Sequence, residues 1–301
     1  MSKTAEMVSI LSPVYNEADH LDEMIASVQA QSHRQFELIV VDDGSSDASS
    51  DKVRAAQEQD PRIKSISGGK RGKVESFNEA FRRSSGDTIV LLAGDDLLPP
   101  DSLLRRARSI DEARRRGAEM VALYARLRTF SENPKYDGLI IPRRPGKGGR
   151  SGGTLALSRP LAERIFPIPS HLVAEDVWIA SLAESLAETL IELPDIVLHY
   201  RIHAGNSNPR HQDFEGMNSA MHQRLLVYAM LAASPDLAIP NRHLLRFAAM
   251  AEIEEARYSG DTVRVLSQRG APIVDRVRAA SMSNATLFGL RNRLFRLLSG
   301  W

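Results

Sequence analysis

The chain lacks cysteine and long hydrophobic segments. None of its 301 residues is cysteine, which excludes a disulfide framework and a thiolate metal site and agrees with a reducing compartment. No segment approaches the roughly 20 apolar residues of a membrane-spanning helix, and the N-terminus shows no apolar core of a signal peptide. We therefore expect a cytoplasmic protein, either in solution or peripheral on the inner face of the membrane.

Two further absences limit how the chain can bind ligands. Its formal net charge is only +1, so no overall attraction to nucleic acid is expected. Neither GxGxxG nor GxxxxGKS, the two common glycine-rich phosphate loops, is present. A bound nucleotide would have to be held by other groups, and the chain offers carboxylates that suit a metal ion.

Short apolar segments alternate with amphipathic ones through the first half of the chain. The apolar segments cover residues 8–11, 36–41, 63–66, 88–92 and 120–124. The amphipathic segments cover residues 20–31, 46–59, 73–84 and 101–116. This alternation predicts an α/β fold with a mostly parallel sheet flanked by helices. In such sheets ligands bind at the carboxyl ends of the strands.

The second half of the chain has a different pattern. Residues 131–153 are rich in glycine, proline and arginine and are predicted to form a long loop or lid. We then expect a strand at 155–157, a helix at 160–165, a helix starting near residue 175 and a last strand towards residue 203. Beyond about residue 210 the pattern predicts only helices, at 215–233, 242–258 and 262–268 and in a tail from about 283.

Adjacent carboxylates, Asp95 and Asp96, end the fourth apolar segment. Aspartate is a favoured helix N-cap, but Asp101 and Ser102 already stand where the next helix would be capped. Neighbouring carboxylates repel each other unless a cation or a donor compensates them, and their oxygens suit Mg²⁺ or Mn²⁺. The position favours a metal–nucleotide role over capping.

Three aspartates, Asp42, Asp43 and Asp47, follow the second apolar segment. A strand-to-helix turn would account for all of them, and we assign Asp47 to the start of the helix. Asp43, at the strand end, is the candidate ligand contact. Taken alone, these aspartates are equally compatible with a simple strand-to-helix turn and with a ligand-binding site.

Glu175 and Asp176 precede an apolar helix. Both are compatible with an ordinary acidic first turn of a helix. For Glu175 the sequence favours neither this structural interpretation nor a functional one. Asp176 follows a proline-rich loop, and a carboxylate there could face the same cleft as the metal. It is our candidate general base towards a hydroxyl group.

The last predicted strand ends in Arg201 and His203. A lone histidine is usually structural, but strand alternation places these two side chains on one face. A guanidinium beside an imidazole could hold a diphosphate and its metal. The basic turn of Lys70, Arg71 and Lys73 is either a solvated surface or a phosphate contact, and Arg71 is our candidate from it.

Five motifs, in order, resemble those of the family 2 glycosyltransferases. They are ILSPVYNE, IVVDDGSSD, GDTIVLLAGDDLLPP, AEDVWIA and HYRIHAGNS. The family consists of inverting enzymes with the GT-A fold, a Rossmann-like sheet joined to an acceptor-binding half. The resemblance covers about residues 8–208.

The resemblance implies a role for each matching residue. The nucleotide-binding residues would be Pro13, Tyr15, Glu17, Asp43, Asp95 and Arg201. Asp43 would bind a uracil ring, so a UDP-sugar is the expected donor. Asp96 and His203 would hold the divalent metal, Mn²⁺ or Mg²⁺, and Asp176 would be the catalytic base. Ala93 stands where many members have a further aspartate, so the metal role depends chiefly on Asp96.

The implied activity is metal-dependent, inverting transfer of a hexosyl or N-acetylhexosaminyl unit from a nucleotide-sugar to an acceptor hydroxyl. Bacterial exopolysaccharide or glycolipid assembly is the expected setting, with a sugar or lipid-linked acceptor. The QxxRW motif of processive synthases is absent, which favours a single transfer. Two alternatives stay open: a catalytically degenerate binding protein, which Ala93 favours, and a nucleotidyltransferase, whose basic glycine-rich loop is missing.

We expect a glycosyltransferase domain over residues 1–210 and a C-terminal helical extension over residues 211–301. Within the first, residues 1–125 would bind the nucleotide and residues 126–210 the acceptor. The tail places a stripe of apolar residues on one helical face: Leu287, Leu290, Leu294, Leu298 and Trp301. That stripe is predicted either to dock on the protein itself or a homodimer partner, or to lie on a membrane as an interfacial helix.

Overall fold

A computed structural model describes residues 6–144, 146–203 and 213–298. Within these residues, eight strands form a single sheet. The strands are Val8–Val14 (β1), Phe36–Asp42 (β2), Ile63–Ser67 (β3), Thr88–Leu91 (β4), Val121–Phe130 (β5), Ile140–Ile141 (β6), Leu155–Ser158 (β7) and Thr189–Arg201 (β8).

The strand order is β3-β2-β1-β4-β7-β5-β6, with β8 also paired to β5. Strands β1 to β4 pair in parallel, and β8 runs parallel to β5. Only β6 and β7, among the described strands, run antiparallel to their neighbours. The predicted α/β fold with a mostly parallel sheet is confirmed.

Eleven α-helices are present in the described residues. The first six are Ala18–Gln29 (α1), Ser49–Gln59 (α2), Lys73–Arg82 (α3), Ser102–Arg115 (α4), Arg159–Ile165 (α5) and Glu175–Leu186 (α6). The others are Phe214–Ala232 (α7), Asn241–Tyr258 (α8), Thr262–Ser267 (α9), Ile273–Ala280 (α10) and Ala285–Leu298 (α11). No helix in the described part of the chain has both the length and the apolar character needed to cross a bilayer.

The centre of the sheet is buried on both faces. Every residue of β1 and of β2 is buried, which explains why these segments are mostly apolar; the polar Ser9 hydroxyl donates to the buried Glu37 carboxylate at 2.6 Å. The register of β1 with β4 ends at the Leu11–Leu91 pair, and that of β1 with β2 continues to Val14–Asp42. The loops that follow β1, β2 and β4 therefore leave the sheet at the same edge.

Contacts divide the described chain into two compact units. One contains the residues up to Ser170 together with Trp178–His203, and includes the whole sheet. The other contains His171–Val177 and the described residues from 213 onwards. A small cluster of buried residues forms the interior of the second unit: Ala249, Ile253, Ala256, Val265, Ala271, Ala279 and Ala280.

A buried ion pair stabilises this second unit. Arg257 is fully buried, and its Nε and Nη2 atoms donate to the two carboxylate oxygens of Glu254 at 2.7 and 2.6 Å. The Glu254 Oε1 atom also lies 3.1 Å from the His222 Nδ1 atom. The Arg257 charge thus depends on one carboxylate for compensation inside the protein.

Replacing Glu254 with glutamine is expected to lower the free energy of unfolding by about 3–5 kcal/mol, because it leaves the Arg257 charge buried without its counter-ion. Urea denaturation followed by circular dichroism measures the change. The matched control is Glu255→Gln, since Glu255 is the exposed neighbour and its replacement should change the unfolding free energy by less than about 0.5 kcal/mol. Equal effects of the two substitutions would contradict the ion-pair account.

The secondary-structure predictions were incomplete in several places. Strand β5 extends to Phe130, beyond its predicted end. Strand β8 begins earlier than predicted, at Thr189, because a shift of its register with β5 accommodates Pro194. The predicted loop over residues 131–153 contains the short strand β6. Helix α10 was missed, since several of its apolar side chains are exposed and its pattern did not predict a buried face.

Candidate active site

Two buried carboxylates lie just after β4. The Asp96 N–H donates to the Ala93 carbonyl oxygen at 3.3 Å, which turns the chain. Asp95 is 8% exposed and Asp96 is 3% exposed, although both carry ionisable groups. Burial, followed by the charge of Asp95, raises the pKa of Asp96 well above its ordinary value. The pair forms a concentrated acidic site that a cation would stabilise.

These aspartates do not cap the following helix. Helix α4 begins at Ser102, with Asp101 at the N-cap position. The Asp101 carboxylate makes no capping hydrogen bond and accepts instead from the Ser32 hydroxyl at 2.8 Å. Asp101 therefore occupies the N-cap position that the sequence predicted, but its side chain does not cap the helix.

Arg201, at the end of β8, contacts both aspartates. Its backbone N–H donates to the Asp96 Oδ1 atom at 2.9 Å, and its Nε atom donates to the Asp95 carbonyl oxygen at 2.8 Å. Its Nη2 atom lies 2.5 Å from the Glu23 Oε2 atom of α1, and its guanidinium lies 4.4 Å from the centre of the Phe130 ring. The guanidinium is thereby held beside the acidic pair.

His203 lies against the same pair. Its Nε2 atom is 3.1 Å from the Asp95 Oδ2 atom. The His20 ring packs edge-on against it, with 4.9 Å between ring centroids. Burial, followed by the charge of Arg201, lowers the pKa of His20. Asp95, Asp96, Arg201 and His203, predicted separately from the sequence, are therefore brought together.

Glu17 extends this acidic group from the loop after β1. Burial, followed by the charge of Asp95, raises the pKa of Glu17 to about 7. Gly94 allows the close approach, because a Cβ atom there would lie 3.0 Å from the Glu17 Cγ atom and 2.9 Å from the Val14 Cγ1 atom. A side chain at position 94 would displace Glu17 from the site.

Side chains of the loop after β2 hold the loop after β1. Asn16 adopts a left-handed conformation with φ of 54°, its N–H donates to the Ser45 hydroxyl at 2.9 Å, and its Oδ1 atom accepts from the Ser46 N–H at 2.8 Å. The Ser49 hydroxyl accepts from the Glu17 N–H at 2.9 Å. These bonds satisfy N–H groups at the start of α1 and orient the loop.

Asp47 belongs to the start of a helix, as predicted, and serves two helices. Its Oδ1 atom accepts from the Ser49 N–H at 2.9 Å, and its Oδ2 atom accepts from the Ala18 N–H at 3.1 Å. The hydrogen bonds hold the pKa of the exposed Asp47 carboxyl below its usual value in spite of partial desolvation.

Asp43 contacts the backbone before α3. Its carboxylate accepts from the Arg71 N–H at 2.7 Å and from the Gly72 N–H at 2.9 Å. Gly44 closes this turn with a φ of 80°. A Cβ atom on residue 44 would lie only 2.9 Å from the Lys70 Cβ atom, so a larger residue would not fit there. The Lys70 Nζ atom is in turn 5.8 Å from the centre of the exposed Tyr15 ring.

A cavity of about 270 Å³ opens between β3 and α3. Arg71 lines it together with Ser67, Glu75 and Arg83. Of the ligand-binding residues predicted within the described chain, Arg71 alone lines this cavity. Pro13 is buried within β1, so it shapes the strand end beneath Tyr15.

Asp176 is the second residue of α6 and carries an ion pair. Its Oδ1 and Oδ2 atoms accept from the Arg224 Nη2 atom of α7 at 3.1 and 2.9 Å. The Val177 N–H also donates to the Asp176 Oδ1 atom at 3.0 Å. About a quarter of the Asp176 side chain, 27%, is exposed, so the carboxylate is oriented yet accessible to solvent.

The donor set fits a hard divalent cation. Mg²⁺ takes oxygen ligands and is often held by only one or two carboxylates together with substrate phosphates. Asp95 and Asp96 offer such oxygens in a buried acidic site. The described residues contain no cluster of three or more acidic or histidine side chains arranged as metal ligands. A cation here would therefore share its coordination with the substrate.

Several residues of the site were not predicted from the sequence. Glu23 and His20 face Arg201 and His203 from α1, and Asn16 shapes the first loop. Arg224 lies 48 residues beyond Asp176. Asn16 stands inside a recognised motif and could have been found there, whereas no local pattern marks the other three.

Structural comparison shows that the fold is that of glycosyltransferases. Staphylococcus aureus TarS (residues 1–349), solved with UDP-GlcNAc, has a TM-score of 0.62 at 18% identity, covering 94% of this chain and 83% of that one. A mannosyltransferase of Pyrobaculum calidifontis, solved with GDP-Man and Mn²⁺, has a TM-score of 0.58 at 18% identity, covering 99% and 83%. The predicted GT-A type of fold is confirmed.

The family follows from the sequence match. Residues 9–166, more than half of the chain, match the family described as Glycosyl transferase family 2, and the chain belongs to that family. This assignment confirms the family that the five motifs predicted.

Curated relatives match over part of their length. An undecaprenyl-phosphate 4-deoxy-4-formamido-L-arabinose transferase of Edwardsiella ictaluri is 29% identical over 64% of this chain and 60% of its own length. An uncharacterized glycosyltransferase of Nostoc sp. is 38% identical over 33% of this chain and 31% of its own length. The chain thus spans less than two thirds of the length of either relative.

Proposed function

We propose that the protein transfers a single sugar from a UDP-sugar to an acceptor hydroxyl, with inversion at the anomeric carbon and with the help of Mn²⁺ or Mg²⁺. The observation that carries this proposal is the buried Asp95–Asp96 pair with Arg201 and His203 beside it. Such a group of carboxylates, guanidinium and imidazole suits a metal–diphosphate unit better than any other ligand class.

The nucleotide would be held by the loops after β1, β2 and β4. Tyr15 offers an exposed ring, and Asp43 offers a carboxylate already oriented by two backbone N–H groups. Asp95 and Glu17 would contact the ribose and Arg71 the edge of the nucleotide. The structure of TarS with UDP-GlcNAc supports a UDP-sugar donor. The mannosyltransferase was solved with GDP-Man, so a GDP-sugar is the competing donor.

Asp96 and His203 would hold the metal, which supplies charge neutralisation to the departing diphosphate when bound. Arg201 would add a fixed positive charge beside the metal, since the two aspartates accept hydrogen bonds from its backbone N–H and its side chain. The Mn²⁺ in the mannosyltransferase structure supports a divalent cation in this fold.

Asp176 would act as general base. It would accept the proton of the acceptor hydroxyl while that oxygen bonds to the anomeric carbon and the nucleoside diphosphate leaves. Its ion pair with Arg224 would fix the direction of the carboxylate oxygens towards the acceptor. Arg224 is therefore a positioning residue in this mechanism.

The acceptor is proposed to be a lipid-linked sugar used in glycolipid or exopolysaccharide assembly. The undecaprenyl-phosphate transferase of Edwardsiella ictaluri supports a lipid-linked substrate. The absence of QxxRW supports one transfer for each encounter.

Calorimetric titration of UDP, GDP and CDP, each with and without Mn²⁺, tests the donor site. We expect UDP to bind most tightly and its binding to require the metal. Preference for GDP would overturn the UDP assignment, and binding unchanged by Mn²⁺ would overturn the metal role. If none of the three nucleotides bound, the proposed donor site itself would be wrong.

A further inference from the structure

Helices α9 and α10 leave large aliphatic side chains exposed to solvent. The exposed fractions are 78% for Val263, 66% for Ile273, 64% for Val274, 55% for Val277 and 45% for Leu266. Single exposed aliphatic residues are common on protein surfaces, but five within fifteen positions of two short helices are not.

These side chains lie on two helices that pack against each other. On α10, Ala279 and Ala280 near the end of the helix are buried, whereas Ile273, Val274 and Val277 nearer its start are exposed. The Arg276 Nη1 atom donates to the Leu266 carbonyl oxygen at 2.8 Å, which holds α10 beside α9. The interior of this unit is completed by small residues, so the exposed aliphatic groups are not required to fill it.

The surface continues onto α11. The Arg291 Nη1 atom donates to the Ser281 hydroxyl at 3.2 Å, just after α10 ends. Burial, followed by the charge of Arg278, lowers the pKa of Arg291. Leu290 and Leu294, one turn apart on α11, are 52% and 43% exposed.

The charge of this region is almost entirely of one sign. Residues 262–298 contain seven arginines and a single acidic residue, Asp275. The whole chain has a formal net charge of only +1, so the rest of the chain carries an excess of acidic residues. Arginine guanidinium groups pair well with phosphate oxygens.

We propose that this basic aliphatic surface, formed by α9, α10 and the described side chains of α11, binds the surface of an anionic lipid bilayer. The aliphatic groups would enter the boundary between headgroups and acyl chains, and the arginines would contact lipid phosphates. The inference goes beyond the proposed transfer reaction and does not depend on it.

Charge complementarity favours a bilayer over a second copy of the chain. In a symmetric dimer the same patch of each protomer would face its partner, so two sets of arginines would meet with one aspartate each. An anionic bilayer instead offers phosphate groups, which pair well with guanidinium groups. The surface includes Leu290 and Leu294 of the leucine stripe predicted from the sequence, whereas the side chains of Leu298 and Trp301 fall outside the described part of the chain.

Phe288, which stands beside that sequence-predicted stripe, contacts another helix of the same unit. The Phe288 ring of α11 lies 5.9 Å from the Phe214 ring of α7, measured between centroids. The first turns of α11 are thus attached to the second unit, and Leu290 and Leu294 are presented alongside α10.

Flotation of the full chain with vesicles tests this surface. The protein should float with vesicles that contain phosphatidylglycerol and remain below with vesicles of pure phosphatidylcholine, and high salt should weaken binding. The triple variant Ile273→Ser, Val274→Ser, Val277→Ser should reduce the partition coefficient by about tenfold or more, since it removes buried aliphatic area. The double variant Arg269→Gln, Arg278→Gln should reduce it specifically on anionic vesicles.

Matched controls are Leu104→Ser and Arg108→Gln, both on α4 and both exposed. They should leave flotation unchanged. Absence of flotation with either vesicle, or flotation that the α10 variant leaves unchanged, would overturn the proposal. A different result would also overturn it: no vesicle binding, together with a dimer in analytical ultracentrifugation without lipid that the α10 variant dissociates. Calorimetric binding of UDP by the same variants reports separately on the donor site.

Discussion

Asp176→Asn is expected to lower kcat for sugar transfer by about 10²–10⁴-fold, the usual contribution of a general base. Asparagine has almost the shape of aspartate and can still accept a hydrogen bond from the Arg224 guanidinium. It cannot take a proton from the acceptor hydroxyl. Release of nucleoside diphosphate measures kcat, and calorimetric titration of UDP should give a nearly unchanged Kd.

The matched control for this prediction is Arg224→Gln. This variant keeps the carboxylate and removes the ion pair that orients it. We expect a smaller fall in kcat than for Asp176→Asn, with no change in nucleotide affinity. If Asp176→Asn lowered nucleotide affinity as much as it lowered kcat, the general-base assignment would be wrong.

Asp96→Asn is expected to weaken metal-dependent UDP binding by at least about 10–100-fold. Removing a group that only hydrogen-bonds to a metal ligand usually costs this much, and Asp96 would be a ligand itself. Asparagine retains an oxygen that can accept from the Arg201 N–H, so the local backbone should be preserved. It lacks the negative charge that would attract a divalent cation. Titration of UDP at fixed Mn²⁺, and of Mn²⁺ at fixed UDP, measures both affinities.

Asp101→Asn provides the comparison for Asp96. Its carboxylate is nearby in sequence, but its side chain is 52% exposed and contacts the Ser32 hydroxyl. This variant should bind UDP as the unaltered protein does, with and without Mn²⁺. Equal metal dependence in Asp96→Asn and the unaltered protein would refute the metal role.

The positions of the strands and the chemistry at their ends could be predicted locally in the first half of the chain. Strands β1, β2 and β4 are buried on both faces, so their composition distinguishes them from the helices. Asp95 and Asp96 stand directly after such a segment, and parallel strands bring their carboxyl ends to one edge. For this reason the acidic site could be expected before its geometry was known.

The second half was harder to predict because its elements depend on distant partners. Strand β8 contains Pro194 and polar residues, yet it follows β5 through a shift of register. Helix α10 buries two alanines, Ala279 and Ala280, and exposes its larger aliphatic residues. A local pattern shows that a helix has an apolar face, but it does not show whether another part of the protein covers that face.

By itself, the amino-acid sequence determined the α/β class, the family and the chemical types at the strand ends, since these depend on segments that are contiguous in the chain. Only the tertiary structure decided that Arg201 holds both aspartates, that Arg224 pairs with Asp176 and that α9 and α10 leave their aliphatic residues exposed. Each of these depends on packing between residues far apart in sequence, where side-chain distances and the fit of neighbouring surfaces, rather than local periodicity, determine which groups meet and which faces remain in water.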